Sequence, residues 1–351
     1  MRSLNTYLCR EAPLSEGVNT EVLRARDCQR GIDVVIKKFY DNQIEFGRAE
    51  AKLLKLLNKK GCDPKLLDEI EQVTTHPNSP RKNMYGFSLQ YLPGINGVSA
   101  FQPQRLPTYN PRRVGAALIA AIDLAADVEE LHDIGIIHND IKPGNIFLLP
   151  DGCYRLIDFG FAFKKSRRGP TPCIGTLGYA APEQIEICDH SKRISVCEQT
   201  DHWGIGATLY TLLTGKRLIR CSMSEVIPLI SRGLSGGELY SEIEEMLIRK
   251  TLVYDAETLS ARESPFQKLP IVWSMREEIL RTIKRCLRLD PADRFQTTTE
   301  LLTDLRRTLY TFERKYGPVD HRPNSKPYGE EYYKFMRQAR RRRATEKAKS
   351  Q

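Results

Sequence analysis

The chain lacks the cysteine spacing that marks zinc sites and disulfide-rich proteins. Its nine cysteines are scattered over 351 residues, and no two of them form a Cys-x-x-Cys pair. Such scattering favours free thiols in a reducing compartment, packed as small hydrophobes, over metal ligands or disulfides. A chain of this length buries roughly three-quarters of its unfolded surface, so a core forms without covalent staples.

Long apolar runs are also missing. The longest apolar stretch extends from Val114 to Ile122, about half of the ~20 residues that a membrane span requires. It predicts instead a buried helix that continues to His132. Met1-Arg2-Ser3 leads into a polar segment without the apolar core of a signal peptide. We therefore expect a cytoplasmic protein, with a nuclear protein or a secreted effector as the alternatives.

The net charge of +10 is concentrated near one end of the chain. Residues 321–351 hold ten Lys or Arg against three Glu, including the run 340–343 of four arginines. This composition predicts a flexible or partly helical basic tail. A purely solubilising tail, a nucleic-acid contact, an anionic-membrane contact and an import-receptor contact are the open alternatives.

Two short polar segments hold the residue types that phosphoryl transfer requires. Residues 138–145 read His-Asn-Asp-Ile-Lys-Pro-Gly-Asn, and residues 158–160 read Asp-Phe-Gly. Phosphoryl transfer uses a carboxylate to orient the attacking hydroxyl, a cation beside the transferred group and oxygen ligands for Mg²⁺. The candidates for these tasks are Asp140, Lys142, Asn145 and Asp158.

These segments resemble the catalytic loop and the metal-binding loop of eukaryotic-type (Hanks-type) Ser/Thr protein kinases, which read H-R-D-x-K-x-x-N and D-F-G. Further segments resemble other motifs of this family and follow in the family's order. They are residues 14–22 (the Gly-rich loop), 34–37 (Val-Val-Ile-Lys), 175–183 (Gly-Thr-Leu-Gly-Tyr-Ala-Ala-Pro-Glu), 201–206 and 290–294.

The resemblance implies an α+β, two-lobed protein-kinase-like fold. A small antiparallel β-sheet lobe with one main helix is expected at 1–92, and a larger, mainly helical lobe at 93–315. Within the large lobe, 219–270 is interpreted as an extended helical insert, and 316–351 as the basic flexible tail. Strands are expected around 22–25, 32–39 and 86–92, and apolar spacing predicts the small-lobe helix around 50–57.

The resemblance implies ATP binding by the small lobe. Lys37 would contact the α- and β-phosphates and pair with Glu50, because a buried Lys is too costly without a partner. Side chains alternate along a strand, so only one of Lys37 and Lys38 is expected to point inward, and Lys37 matches the family register. The other nucleotide-binding residues that the resemblance implies are Gly17, Val22, Val35, Leu89, Gln90, Tyr91, Leu92 and Phe147.

For the catalytic step, the resemblance implies that Asp140 accepts the proton of the attacking hydroxyl and Lys142 neutralises the γ-phosphate. Asn145 and Asp158 would bind Mg²⁺. Thr176 would line the site where the substrate residue docks. Three scaffold residues are expected as well: Asp201 would anchor the catalytic-loop backbone, and Glu183 would form a buried pair with Arg294.

The sequence departs from the family pattern at three places. Asn139 replaces the Arg that normally pairs with a phosphorylated activation loop, which predicts activity that does not depend strongly on that phosphorylation. In the Gly-rich loop only Gly17 is kept, with Ser15 and Thr20 at the other positions, which predicts weaker ATP binding or a stiffer loop. Glu50 also follows Lys37 more closely than usual, as a shortened helix would explain.

The favoured hypothesis is a Ser/Thr protein kinase that uses ATP and Mg²⁺ and acts on protein substrates. A pseudokinase that serves as a binding scaffold is the first alternative, supported by Asn139 and the altered Gly-rich loop. A small-molecule kinase of the aminoglycoside or choline type is the second. The segment 175–183 argues against that second alternative, because it builds a peptide-docking surface in protein kinases.

Overall fold

The fold is known from a computed structural model. It describes residues 7–9, 13–16, 20–59, 64–73, 83–106, 110–165, 176, 178–181, 183–184, 196–217, 271, 273–288 and 290–319. The predicted helical insert at 219–270, Gly17 and the tail from residue 320 onward lie outside the described residues. The chain divides into two compact units, the first comprising residues 1–93 with 157–163 and the second residues 94–156 with 164–351.

The first unit contains one antiparallel sheet and one long helix. In spatial order the sheet runs β1-β3-β4-β6-β5, and β2 also pairs with β3. The elements are β1 (Tyr7–Cys9), β2 (Ser15–Glu16), β3 (Thr20–Asp27), β4 (Ile32–Tyr40), α1 (Ile44–Lys59), β5 (Leu66–Val73) and β6 (Asn83–Gln90). The expected strands and helix are present, but β6 ends at Gln90 rather than Leu92 and β5 was not anticipated.

Alternation along β4 gives the sheet two different faces. Val34 and Ile36 are fully buried and belong to an apolar cluster on one face that also includes Ala25 and Ile70. Val35, Lys37 and Phe39 alternate with them and therefore point to the other face. Helix α1 packs on that second face, where a Cβ added to Gly47 would lie only 2.6 Å from Cγ of Phe39.

The second unit is mainly helical and is built around two buried helices, α3 (Pro111–Asp133) and α4 (Glu198–Thr214). Asn110 caps α3 by accepting from the Arg112 amide, and the proline at the first position suits the start of a helix. Helix α4 is buried around nearly its whole circumference and ends at Gly215 in the left-handed region. The remaining helices are α2 (Gly97–Ala100), α5 (Trp273–Cys286) and α6 (Thr298–Tyr316).

Four short strands also belong to this unit: β7 (Ile95–Asn96), β8 (Ile136–Ile137), β9 (Ile146–Leu148) and β10 (Tyr154–Leu156). A fifth, β11 (Phe163–Lys164), lies at the sequence boundary between the two units. Strand β10 is an edge of the three-stranded sheet β10-β9-β7. Its outward amides are bound by carboxylates of α3, since Tyr154 N–H donates to Asp123 (2.9 Å) and Leu156 N–H donates to Asp127 (2.8 Å). In the described ranges, no helix is both long and apolar enough to cross a membrane.

Candidate active site

In the first unit, Lys37 lies between two carboxylates. Its Nζ is 2.9 Å from both carboxylate oxygens of Glu50 and 2.7 Å from Oδ1 of Asp158. The separation of 13 residues between Lys37 and Glu50 is bridged by a short 3₁₀ turn, Asp41–Gln43, after which α1 begins at Ile44. Glu50 therefore lies in the second turn of a helix that is not unusually short, and the ion pair forms.

This cluster carries one positive and two negative charges in a largely buried place. Burial raises the pKa of the Glu50 carboxyl to about 7 even though Lys37 lies beside it. Burial alone would lower the pKa of Lys37, but the charges of Asp158 and Glu50 outweigh it and raise that pKa. Lys37 therefore stays protonated, and the cluster has an excess negative charge when both carboxyls are ionised.

The backbone around Asp158 leaves space beside the charged groups. Asp158 has φ +66°, in the left-handed region, and its side chain is the most exposed of the three. A Cβ on Gly160 would lie 3.3 Å from Oδ1 of Asp158 and 3.3 Å from Oε2 of Glu50. Only glycine leaves this approach to the carboxylates open.

Lys38 is buried too, which corrects the expectation that only one of the two adjacent lysines points inward. It is 9% exposed and lies on the opposite face of the sheet, where its Nζ is 3.0 Å from Oε2 of Glu21. The Tyr40 hydroxyl donates to the same oxygen at 3.0 Å. A strand can bury a lysine on each face when each one has its own carboxylate.

The sheet register places several of the predicted nucleotide-binding residues on the Lys37 face. Val22 lies directly opposite Lys37, and Val35 lies opposite Leu89. Directly paired residues share a face, so these side chains all point to the same side as Lys37. The amide of Gln90 donates to the Lys65 carbonyl at 2.8 Å.

Two further predicted nucleotide-binding residues follow β6, and a third lies in the second unit. Tyr91 and Leu92 come directly after the strand, and the Arg24 guanidinium lies over the Tyr91 ring, 4.1 Å from its centre. Phe147 belongs to β9 in the second unit.

In the second unit, the Asp140 carboxylate is the centre of a hydrogen-bonded cluster. Its Oδ2 accepts from Nζ of Lys142 (2.6 Å) and Nδ2 of Asn145 (3.0 Å), and its Oδ1 accepts from the hydroxyl (2.9 Å) and amide (3.1 Å) of Thr176. Lys142 also donates to the Thr176 hydroxyl at 2.6 Å. The structure thus brings Thr176, which the sequence singled out in a separate segment, together with the three candidate residues of the segment 138–145.

The backbone of the catalytic loop is anchored by Asp201, as expected. Its carboxylate accepts from the amides of His138 (2.9 Å) and Asn139 (2.8 Å). Burial by itself would raise the pKa of Asp201, but its hydrogen bonds with His132 and with the His138 amide hold that pKa below the usual value. Asn139 has φ +66°, a conformation that Asn tolerates better than most residues.

Behind Asp201 lies a buried chain of hydrogen bonds that the sequence did not predict. His202 Nδ1 donates to the Phe295 carbonyl (2.9 Å), so its Nε2 accepts from the Thr298 hydroxyl (3.0 Å). The same hydroxyl lies 2.8 Å from Nδ1 of His132, and Nε2 of His132 lies 2.9 Å from Oδ2 of Asp201. Burial lowers the pKa of His202 to about 4 and keeps its ring neutral.

Gln184 is a second residue that the sequence did not single out. It directly follows Glu183 and is only 3% exposed. Its side-chain Nε2 donates to the carbonyl and to Oδ1 of Asn139, each at 2.8 Å. The position directly after Ala-Pro-Glu is the only sequence signal that could have drawn attention to it.

Comparison with known proteins agrees with this geometry. The model of the protein kinase domain family matches residues 10–305. The chain therefore belongs to the protein kinase domain family, of the Hanks type, and has its two-lobed α+β fold.

The curated relatives include several kinases. Mouse hormonally up-regulated neu tumor-associated kinase is 28% identical over 227 residues, which cover 61% of this chain and 29% of the mouse protein. Serine/threonine-protein kinase AtPK1/AtPK6 of Arabidopsis thaliana is 38% identical over 106 residues, 30% of this chain and 21% of the plant protein. A cAMP-dependent protein kinase catalytic subunit-like protein of Caenorhabditis elegans is 30% identical over 169 residues, 48% of this chain and 39% of the worm protein. The chain spans less than half the length of each of these relatives.

Proposed function

We propose that the chain is an active Ser/Thr protein kinase that transfers the γ-phosphate of ATP to a protein hydroxyl and requires Mg²⁺. The observation that carries this proposal is the Asp140 cluster, in which a buried carboxylate is held by Lys142, Asn145 and Thr176. Structural packing alone gives no reason to collect these polar groups around one carboxylate. Lys142 and the resemblance of 175–183 to Ser/Thr kinase segments support Ser or Thr, rather than Tyr, as the residue that accepts the phosphate.

In this proposal Asp140 accepts a hydrogen bond from the hydroxyl of the substrate residue and takes up its proton. The hydroxyl oxygen would form a bond to the γ-phosphorus as the bond from that phosphorus to the β,γ-bridging oxygen breaks and ADP leaves. Lys142 donates hydrogen bonds to Asp140 and Thr176 and places its positive charge where the transferred phosphoryl group gains negative charge. Thr176 holds Asp140 through two hydrogen bonds and so fixes the carboxylate toward the hydroxyl. Asp140 would thus take up the proton, and Lys142 and Thr176 would orient the Asp140 carboxylate.

The nucleotide would bind on the Lys37 face of the small-lobe sheet. Lys37 would bind the α- and β-phosphates while Glu50 holds its side chain, and Val22, Val35 and Leu89 would contact the adenine. Since the Gln90 amide is already bound to Lys65, adenine would bind the Gln90 carbonyl and the amides of Tyr91 and Leu92. Phe147 would add an apolar contact to the base, and Gly17 would let the phosphate loop approach closely.

The residues present fit a magnesium ion. Asp158 offers a carboxylate in a cluster with excess negative charge. Asn145 uses its Nδ2 for hydrogen bonds to the carbonyl (2.9 Å) and carboxylate (3.0 Å) of Asp140, so its Oδ1 is the atom that would bind the ion. Both are oxygen donors of the kind that Mg²⁺ prefers. When bound, Mg²⁺ would neutralise charge on the phosphate oxygens.

We further propose that activity does not depend strongly on phosphorylation of the activation loop. Asn139 cannot make the bidentate charged contact with phosphate that the usual Arg makes, and its side chain is buried against Gln184. Ser166 and Thr171, which lie outside the described residues, are the loop hydroxyls to test. The Ser166→Ala/Thr171→Ala variant should keep the kcat of wild type, and loss of activity in a folded double variant would refute this part of the proposal.

The deciding experiment compares wild type with Lys37→Met and Asp158→Ala in phosphoryl transfer from γ-labelled ATP with Mg²⁺. Basic and acidic proteins serve as acceptors, with an aminoglycoside and choline as small-molecule acceptors. Label on Ser or Thr in wild type only would support the proposal. Label on small molecules alone would favour the small-molecule kinase, and no transfer together with no ATP-induced shift in Tm would favour the binding scaffold.

The basic tail is proposed as a secondary contact with an anionic partner. Its charge favours weak binding of nucleic acid, an anionic membrane or an import receptor. For nucleic acid, the logarithm of the affinity should fall by about 0.9 for each tenfold rise in salt, for every phosphate contacted. Deleting residues 330–351 should remove this binding and leave phosphoryl transfer intact.

A further inference from the structure

Gln184 joins two segments that both reach the Asp140 carboxylate. On one side its Nε2 donates to the carbonyl and to Oδ1 of Asn139, the residue directly before Asp140. On the other side its Oε1 accepts from the Ala181 amide at 2.7 Å. Ala181 belongs to the same segment as Thr176, which holds Asp140 from the opposite end.

The orientation of the Gln184 amide follows from its neighbours. The Ala181 N–H can only donate, so the atom that faces it must be the Gln184 oxygen. The nitrogen then faces Asn139, where the backbone carbonyl and the side-chain oxygen both accept. Gln184 is 3% exposed and Asn139 is 2% exposed, so water has little access to replace these bonds.

The side-chain part of this partnership depends on Asn at position 139, whereas the bond to the backbone carbonyl does not. The usual Arg of the family has only donors, and a donor cannot accept from Nε2 of Gln184. The Asn139 side chain offers an acceptor at this point, and the Asn139 backbone N–H donates to Asp201 at 2.8 Å. Gln184, Asn139 and Asp201 thus form a continuous chain of short polar contacts beneath the catalytic loop.

We propose that Gln184 is a positioning residue that couples the segment carrying Thr176 to the catalytic loop through Asn139, so that Asp140 is held in place without a phosphate on the activation loop. This inference rests on the proposed kinase function and adds to it the residue that replaces the phosphate-dependent link. Gln184 acts through Asn139 and Asp140 and does not itself contact the reacting atoms.

The test uses the full chain after phosphatase treatment, with mass spectrometry to show that no phosphate is left. Gln184→Met keeps the size of the side chain but removes its polar atoms, and Gln184→Glu keeps only the acceptor toward Ala181. Gln184→Asn keeps the amide group on a side chain that is one methylene shorter. It replaces either of the other variants if that variant fails to fold. Gln199→Met is the matched control, because the Gln199 side chain makes an exposed bond to the Gln296 carbonyl instead.

We expect Gln184→Met and Gln184→Glu to lower kcat by about tenfold to a hundredfold, because small displacements of a catalytic group have effects of this size. The KM for ATP should stay near the wild-type value, since the nucleotide-binding residues belong mostly to the other lobe. Asn139→Gly, which suits the φ of +66° at this position, combined with Gln184→Met should lose no more than Gln184→Met alone, because Gln184→Met already removes the bond that the Asn139 side chain accepts. Wild-type kcat in the Gln184 variants, or losses that multiply in the double variant, would overturn the inference.

Amide hydrogen exchange separates failure of this inference from failure of the proposed function. In Gln184→Met, exchange should accelerate in peptides covering 138–145 and 176–184, and it should not accelerate in Gln199→Met. If wild type transfers no phosphate, the kinase proposal fails, and the exchange result alone decides whether Gln184 couples the two segments. Unchanged exchange in both regions would refute the coupling whatever the activity.

Discussion

Arg294 and Glu183 form a buried ion pair with two parallel hydrogen bonds, Nη1 to Oε1 at 2.7 Å and Nη2 to Oε2 at 2.8 Å. The sequence predicted this pair, and the structure confirms it. The Thr200 hydroxyl also donates to Glu183 (2.7 Å), and Nε of Arg294 donates to the Arg288 carbonyl (2.7 Å). With its remaining polar atoms bound in this way, the pair can tolerate complete burial.

Replacing Glu183 by Gln should destabilise the protein by about 3–5 kcal/mol, because it leaves the Arg294 charge buried without a counterion. Urea unfolding measures this change. The matched control is Glu300→Gln, which breaks an exposed pair with Arg285 (2.6 Å) and should cost about 1 kcal/mol or less. Equal losses of unfolding free energy in the two variants would contradict the conclusion that the Glu183–Arg294 pair is buried and the Glu300–Arg285 pair is exposed.

The adjacent lysines of β4 should respond differently to the same substitution. Lys37→Met removes the cation between Glu50 and Asp158 and should lower kcat by about a hundredfold to a thousandfold, the usual effect of losing one charge-stabilising donor. Lys38→Met removes the partner of Glu21 on the other face of the sheet and should leave kcat close to wild type. Steady-state kinetics with ATP test both, and comparable losses of kcat would show that the two faces are not functionally distinct.

His202 should make stability depend on pH between about 6.5 and 4. Its pKa is lowered to about 4 in the folded protein, so the unfolded chain takes up a proton at higher pH than the folded protein does. The stabilisation is fully present above pH 6.5 and is lost as the pH falls toward 4, by about 3 kcal/mol in all.

His202→Gln isolates this effect, because an amide can also donate to the Phe295 carbonyl and accept from Thr298 but does not titrate. Between pH 7 and pH 4.5, the Tm of wild type should fall further than the Tm of His202→Gln. Parallel falls in the two proteins would rule out His202 as the source of the acid sensitivity.

Gly47→Ala should destabilise the protein although alanine is the better helix former. The gain in helix propensity is about 1 kcal/mol, while the new methyl group meets the Phe39 ring at 2.6 Å from Cγ and overpacking costs about 1–3 kcal/mol. Because Glu50 is one turn further along α1, a displaced helix should also lower kcat. Ala49→Gly, on the exposed side of α1, should cost about 1 kcal/mol and leave kcat unchanged. A more stable and fully active Gly47→Ala would contradict the packing of α1 on Phe39.

Patterned elements were the most predictable part of the fold. The apolar run from Val114 to Ile122 predicted α3, and the β-branched run before Lys37 predicted β4. In contrast, β5 (Leu66–Val73) was missed, because the adjacent pairs Leu66-Leu67 and Asp68-Glu69 break the alternation of apolar and polar residues that marks a strand. The start of α1 was missed as well, since Gly47 weakens the helical pattern. The reason for a glycine there, the close approach of the Phe39 ring, is visible only in the structure.

Motif residues were likewise found from sequence, whereas several of their supporting partners outside the motifs were not. Spacing identified Asp140, Lys142 and Asn145, and family order identified Thr176 and Asp201. The Gln184–Asn139 contact joins residues 45 positions apart, and the His202–Thr298 contact joins residues 96 positions apart. Neither belongs to a local pattern, because each exists only once the chain has folded. Lys38 shows the same limit, since its burial depends on Glu21 in the neighbouring strand.

The two carboxylates of α3 that bind the outward amides of β10 also bear on the solubility of the protein. An edge strand with free amides offers a template to which a strand of another molecule can add. Asp123 and Asp127 occupy two of these amides and thereby block such addition. Burial raises the pKa of Asp127 to about 6, so the negative charge of this carboxylate is lost in a mildly acidic medium while its oxygen can still accept the Leu156 amide. The edge of β10 is therefore closed by hydrogen bonds to α3 rather than by charge alone.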